Sequence, residues 1–447
     1  MQKLKTQYIC QSCGCIQAKW IGKCPDCFEW NTFIEEVVEV NKKNIVIDEK
    51  SVFQTLDSII TNKKRITTDI EEFDRVLGGG LVEGSAILIG GDPGIGKSTL
   101  LLQMVANLSQ KNIECAYISG EESISQIQLR AKRINVDKTS VKLLSETNID
   151  TILALLKSNP GIKLVVIDSI QTIFSSELAS SPGTVSQVKA CAHELIKFAK
   201  EKSIIVVLVG HVTKDGQLAG PKILEHLVDS VLYFENENNN YYRIIRGVKN
   251  RFGAVNEIGV FEMTDSGIKE IKNPSALFLS PHERFISGTT VFAGIEGTRP
   301  ILVEIQSLVA PSYLPTPRRS VVGWDINRLS MVLAVIGSRY ELNLANKEIY
   351  LNIVGGMKIS EPSADLAAIC SIISSSRNKP LPPKTICFGE IGLSGEVRKV
   401  SFSLQRIKEA KKLGFKKAII PFGSKIEIDD FEVVEIAHVK ELKSIFS

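Results

Sequence analysis

Gly91-Asp92-Pro93-Gly94-Ile95-Gly96-Lys97-Ser98-Thr99 fits the pattern G-x-x-x-x-G-K-[ST] at every required position. Its flanks agree. Ala86-Ile87-Leu88-Ile89 reads as a buried strand leading in, and Leu100-Leu101-Leu102-Gln103-Met104-Val105-Ala106 as the helix leading out. Glycines 91, 94 and 96 let backbone amides turn inward onto phosphates, and the helix N-terminus adds its positive end. Lys97 supplies a point charge for the β- and γ-phosphates, and Ser98 offers a hydroxyl to magnesium. A bare glycine-rich turn is the alternative, and the complete string between strand and helix weighs against it. The stretch predicts an α/β domain that binds ATP with Mg2+.

The pattern around it supports that class. From Ile66 to about Glu270 strands alternate with helices, the order expected of a sheet with crossover helices. Lys163-Leu164-Val165-Val166-Ile167 is an apolar strand ending in Asp168, a carboxylate at the strand end where such sheets bind ligands, and Asp168 is expected to hold the magnesium. Hydrolysis also needs a group that orients or deprotonates water. The strand Glu114–Ile118 ends at Ser119-Gly120-Glu121-Glu122, and in ATPases of the RecA type that strand end carries the catalytic glutamate. Glu121 is favoured, with Glu122 read as a charge at a helix N-terminus. The strand Ile204–Val209 ends at Gly210-His211, where His211 suits a γ-phosphate sensor or a simple hydrogen-bonded strand-end histidine.

Two basic segments follow. The loop Lys214-Asp215-Gly216-Gln217-Leu218-Ala219-Gly220-Pro221-Lys222 suits a nucleic-acid backbone or an ordinary solvated connection. Arg246-Gly247-Val248-Lys249-Asn250-Arg251-Phe252-Gly253 brings Lys249 and Arg251 to one side of an extended segment. They could reach a neighbouring subunit's γ-phosphate, grip DNA phosphates, or form a solvated basic turn.

At 447 residues the chain has room for roughly three domains. The expected division is a metal module over residues 1–34, a linker over 35–60, the ATPase over 61–272 and a further domain over 273–447. A net charge of +4 is too small to prove a nucleic-acid partner, so any DNA-binding surface has to be a local patch. No apolar leader follows the first lysines, and runs such as Ser203–Val209 are too short to span a bilayer, so a soluble, cytoplasmic protein is expected.

Five of the nine cysteines fall in the first 27 residues. Cys10-x-x-Cys13 and Cys24-x-x-Cys27 form two knuckles that can close one four-thiolate tetrahedron around Zn2+, with Gly14 and Gly22 giving the tight turns. A disulfide framework is the alternative, and it fits poorly with a cytosolic ATPase. Cys15 is a bystander, and cysteines 115, 191, 370 and 387 read as core residues.

Taken together, the four-cysteine module, Leu77-Gly78-Gly79-Gly80-Leu81, the P-loop string, Gly210-His211-Val212-Thr213-Lys214 and the pentapeptide Lys249-Asn250-Arg251-Phe252-Gly253 resemble the bacterial RadA/Sms family over nearly the whole chain. The resemblance implies a ring-forming, hexameric ATPase of the DnaB-like kind. It implies translocation on single-stranded DNA and extension of branched recombination intermediates by branch migration with RecA. It also implies that Lys97 serves ATP hydrolysis and that Lys249 and Arg251 serve the DNA-coupled motor.

The last 175 residues resemble the proteolytic domain of Lon, an α+β unit. Glu361-Pro362-Ser363-Ala364-Asp365 places Ser363 at that protease's nucleophile, and Gly389–Val397 matches the strand region before its catalytic lysine. Counting forward puts the lysine position at about Leu404, with Arg406 and Lys408 nearby, and arginine cannot act as the base. The expectation is a non-proteolytic scaffold. Within it Arg318 and Arg319, on a proline-stiffened turn, could grip phosphates, with Arg328 and Arg339 extending the patch. Three functions therefore compete: a DNA-translocating ATPase, a nucleotide-switched assembly ATPase, and an ATP-dependent protease.

Overall fold

The computed structural model describes residues 4–39, 64–211, 223–235, 242–279 and 286–446. The loop 214–222 and the linker from 40 onward lie outside them. Two units divide the chain, one ending at Ile271 and the other beginning at Lys272.

In the first unit a nine-stranded sheet carries the ATPase. Its parallel part runs, in spatial order, Ser230–Glu235, Ala86–Gly91, Ile205–Val209, Leu164–Asp168, Cys115–Ser119 and Lys142–Ser145. Tyr242–Asn250, Ile258–Thr264 and Gly267–Glu270 extend it antiparallel at one edge. The central strands are apolar at nearly every position because both faces are covered. Successive side chains alternate between the two cores: Ile87, Ile89, Val166 and Val207 pack with the helix Lys97–Gln110 on one face. Ala86, Leu88, Val165 and Val206 pack with Val185–Lys202 on the other. Cys115 and Cys191 are core residues there, as are Cys370 and Cys387 in the second unit.

A three-stranded sheet, Ile16–Gln17, Leu4–Cys10 and Phe33–Glu39, frames the cysteine knuckles. The pairing of Leu4–Cys10 with Phe33–Glu39 continues to Glu39, five residues beyond the boundary expected at 34.

The second unit is α+β. A seven-stranded mixed sheet runs Arg319–Val322, Lys347–Ile353, Arg299–Pro311, Thr289–Glu296, Thr385–Cys387, Lys417–Pro421 and Glu432–Ile436. The helix Asp365–Arg377 is buried from Asp365 through Ser374. The expected arginine patch does not form as a set. Arg319 donates to the Leu344 and Lys347 carbonyls, and Arg328 forks onto the buried Asp365, with Nε 2.8 Å from Oδ1 and Nη2 2.5 Å from Oδ2. Only Arg318 and Arg339 of the four stay at the surface. The reason is local: Asp365 is a carboxylate in the core and needs a cation, which takes Arg328 inward. Arg328→Ala is expected to destabilise this unit by about 3 kcal/mol, read by urea unfolding, because it strands that carboxylate.

Candidate active site

Parallel strands present all their carboxyl ends at one edge, and four neighbours in the sheet deliver the predicted residues there. Ala86–Gly91 leads into the P-loop, Ile205–Val209 into His211, Leu164–Asp168 ends in Asp168, and Cys115–Ser119 leads into Glu121. The P-loop turn leaves Asp92, Pro93 and Gly94 exposed, buries Ile95 and Lys97, and half-buries Gly96, Ser98 and Thr99. Gly96 has φ +117°, and a Cβ there would lie 2.5 Å from Met263 Cε, so only glycine fits. The helix that follows has no acidic residue in its first turn, which leaves its positive end uncompensated for an anion. Lys97 Nζ donates to the carbonyls of Gly91 (2.6 Å) and Asp92 (2.9 Å). Burial pulls its pKa below the ordinary lysine value, opposed by Asp168, Asp92 and Glu121. Ser98 and Asp168 are an oxygen pair of the hard-donor type magnesium takes alongside phosphate oxygens.

The two adjacent glutamates separate cleanly. Glu122 is forked by Arg130, whose Nη1 lies 2.9 Å from Oε1 and whose Nη2 bonds Oε2. Glu121 instead accepts from Ser169 Oγ (2.5 Å) and lies 3.1 Å from His211 Nε2, all on Oε1. Burial raises the Glu121 pKa, but these two hydrogen bonds outweigh it and hold the carboxyl below its usual range. Glu121 is thus ionised, aimed into the strand-end cluster, and its Oε2 is not taken by either bond. Ser169 and Tyr117, which donates to Asp168 Oδ2, were not singled out from sequence. The signal for Tyr117 is its pleat position: it shares a strand face with Ser119 and is paired with Val166, two residues before Asp168.

Lys249 and Arg251 are not in this cluster. Asn250 pairs with Ser230, and Ser230 with Ile87, whereas the P-loop begins at Gly91. The pentapeptide therefore stands at the amino-terminal edge of the strands, about 13 Å away for four residues of strand. There Lys249 Nζ donates to the carbonyls of Glu225 (2.6 Å) and Val228 (2.9 Å). Arg251 pairs with Asp229 Oδ1 at 3.1 Å, and Asp229 Oδ2 accepts from the Ala86 amide at 3.0 Å. Asn250 accepts from Ser230 Oγ and the Phe252 amide and donates to Val76 O. A Cβ on Gly253 would sit 2.9 Å from Gly78 Cα, so the pentapeptide turn and the Gly78-Gly79-Gly80 turn are fitted backbone to backbone.

The knuckles place Cys10, Cys13, Cys24 and Cys27 with all four sulfurs within 4.8 Å of one another. Cys10–Cys27 and Cys13–Cys24 are 3.7 and 3.5 Å apart, close to the edge of about 3.8 Å for a tetrahedron with Zn–S bonds near 2.3 Å. The four thiolates fit Zn2+ and leave no open position, as in a structural site. Cys15 lies outside the cluster. The knuckles repeat one hydrogen-bond pattern: Gly14 N to Cys10 O and Cys10 N to Cys15 O, then Phe28 N to Cys24 O and Cys24 N to Glu29 O. The left-handed residues are thus Gly14 (φ +76°) and Phe28 (φ +62°), and not Gly22 as the sequence suggested. Phe28 is 66 % exposed, so Phe28→Gly is expected to relieve backbone strain and stabilise the module by about 0.5–1 kcal/mol, measured by thermal unfolding.

In the second unit Ser363 is buried, and the side chain that reaches it is Arg406, not the residue at Leu404. The helix Ser403–Lys412 starts after a left-handed Phe402, a phase that turns Leu404 outward and Arg406 inward. Arg406 Nη1 donates to Ser363 Oγ (3.2 Å) and Ala293 O (2.6 Å), and Nη2 pairs with Glu361. A guanidinium cannot take the hydroxyl proton, so the Ser-Lys chemistry has no base here. Ser363→Ala is expected to leave ATP turnover unchanged, and the intact chain is expected to be unlabelled by fluorophosphonate reagents.

Three family models match: an AAA domain over residues 53–217, a rubredoxin metal binding domain over 8–35, and subunit ChlI of Mg-chelatase over 328–424. Together with the geometry they establish a RecA-like ATPase core that takes ATP and Mg2+, a zinc-binding four-cysteine module and a Lon-protease-like C-terminal domain. No helix among the described residues is long and apolar enough to cross a membrane. One solved ATPase domain is similar at 14% identity and a TM-score of 0.42, over 48% of this chain and 94% of that one. The DNA repair protein RadA of Rickettsia bellii is 57% identical over 444 residues, covering 99% of each chain. That of Bacillus subtilis is 49% identical over 452 residues, covering 99% of this chain and 98% of its own. With likeness of that depth running end to end through all three modules, the chain belongs to the DNA repair protein RadA family.

Proposed function

We propose that this protein is a DNA-dependent ATPase of recombinational repair. It translocates on single-stranded DNA and promotes branch migration of branched intermediates together with RecA, working as a hexameric ring. The observation that supports this reading best is the contact between His211 and Glu121 at the strand-end cluster. His211 stands three residues before Lys214, where the basic loop begins. His211 thus contacts the carboxylate assigned to catalysis and precedes in sequence the lysine-bearing, glycine-rich segment 214–222, whose composition suits a nucleic-acid backbone. In this scheme Lys97 binds the phosphates, Ser98 and Asp168 hold Mg2+, Glu121 accepts the proton of the attacking water, and His211 reports the nucleotide state. Bound magnesium supplies charge neutralisation at the phosphates. Lys249 and Arg251, at the far strand edge, act on DNA phosphates or on the nucleotide of a neighbouring subunit.

ATP hydrolysis with and without single-stranded DNA, using Lys97→Ala as the blank, tests the reading. Stimulation by DNA that is lost in the blank is the expected result. A rate indifferent to DNA at low and moderate salt overturns it in favour of a nucleotide-switched assembly ATPase.

A further inference from the structure

Tyr117 is completely buried in the core beneath the P-loop helix, at a position whose packing alone would be met by phenylalanine. A buried hydroxyl costs free energy unless it is hydrogen-bonded, and this one is. It donates to Asp168 Oδ2. The phenol therefore ties one of the two residues that suit magnesium, Asp168 at the end of the strand Leu164–Asp168, to the neighbouring strand Cys115–Ser119.

We infer that Tyr117 is a positioning residue for magnesium: its phenol fixes Asp168 through Oδ2 and leaves Oδ1 for the ion. The inference rests on the reading of the P-loop as a Mg-nucleotide site. A carboxylate ligand free to rotate must be ordered when the ion binds, whereas one already held by an outer hydrogen bond need not be. Partners of this kind typically change metal affinity by 10–100-fold when removed. The side chain is fully buried, so its signature is the metal dependence of binding, separable from packing and from the chemical step.

The test is equilibrium binding of fluorescent mant-ADP to the full-length protein, first in EDTA and then across a Mg2+ titration. In Tyr117→Phe the affinity in EDTA is expected to match the wild type. The Mg2+ concentration giving half-maximal enhancement is expected to rise about tenfold. In an Asp168→Asn background Tyr117→Phe is expected to produce no further shift. An unchanged Mg2+ midpoint overturns the inference, as does an equal extra shift in the Asp168→Asn background. Weaker binding already in EDTA, or loss of the fold in Tyr117→Phe, overturns it too, since either marks a packing role only. A wild-type protein whose nucleotide binding ignores Mg2+ overturns the site reading itself, and is distinguished from the other outcomes because it appears before any substitution is made.

Discussion

Glu121→Gln lowers ATP turnover about 10³-fold while nucleotide affinity stays within about twofold, the pattern of a group that acts only in the transition state. The amide keeps the volume and one acceptor for Ser169 and His211, but it cannot accept a proton from water. Glu122→Gln is the control. Its partner is Arg130, and losing one half-exposed ion pair costs at most about 1 kcal/mol of stability and no catalysis. Were the two assignments reversed, the two phenotypes would exchange. The acid side of the pH profile carries a second reading of the same group. The folded pKa of Glu121 lies below its ordinary 4.5, so the base form persists as pH falls to that value and is lost only below it. Stability linked to this carboxylate is likewise present above the ordinary value and disappears as pH drops through the depressed one. His211→Ala removes one of the two hydrogen bonds that hold it there and should shift the acid limb upward.

Removing zinc unfolds residues 8–35 and spares the ATPase core. Structural zinc contributes on the order of 10–16 kcal/mol to small four-ligand modules. Among the described residues the buried members of the apolar cluster at this site are Cys10, Cys24 and Phe33, two of them ligands. There is too little core to hold the knuckles without the metal. A strong chelator, or Cys24→Ser, is expected to erase amide protection in the knuckles and expose them to protease. Hydrolysis by the core should persist, because its two large clusters contain none of these residues. Loss of knuckle protection together with collapse of ATP turnover would contradict this picture.

Much of the site was legible because its signals are local. The P-loop is one contiguous string, and the central strands announce themselves by apolar runs that only a doubly covered sheet requires. Asp168 was expected from the rule that ligands gather at strand carboxyl ends and Glu121 from the strand end that carries the glutamate in RecA-type ATPases, and the fold brings both to one edge of the sheet. What escaped was decided by distant partners. The sequence favoured Glu121 over Glu122, but the contacts that separate them, Ser169 and His211 from distant segments and Arg130 from the next helix, are set by the fold. Lys249 and Arg251 were open to a neighbouring subunit's γ-phosphate, to DNA phosphates or to a solvated turn, and it is strand direction that sets them at the edge opposite this subunit's P-loop. The offset from Leu404 to Arg406 arises from the backbone turn at Phe402, which fixes helix phase and leaves no mark in a residue count. At the second knuckle Phe28 occupies a backbone position that glycine ordinarily takes, so composition pointed to Gly22.

The separation of P-loop and pentapeptide along the strand Ala86–Gly91 sets how one could signal to the other within a subunit. One side chain is shorter than about 13 Å of strand, so within a subunit the backbone of Ala86–Gly91 is the segment that joins the two places. The Ala86 amide ends on Asp229, and Asp229 holds Arg251. The hydrogen-exchange rate of that one amide, followed with and without nucleotide, is therefore expected to report whether the nucleotide site and the basic turn are coupled through the strand.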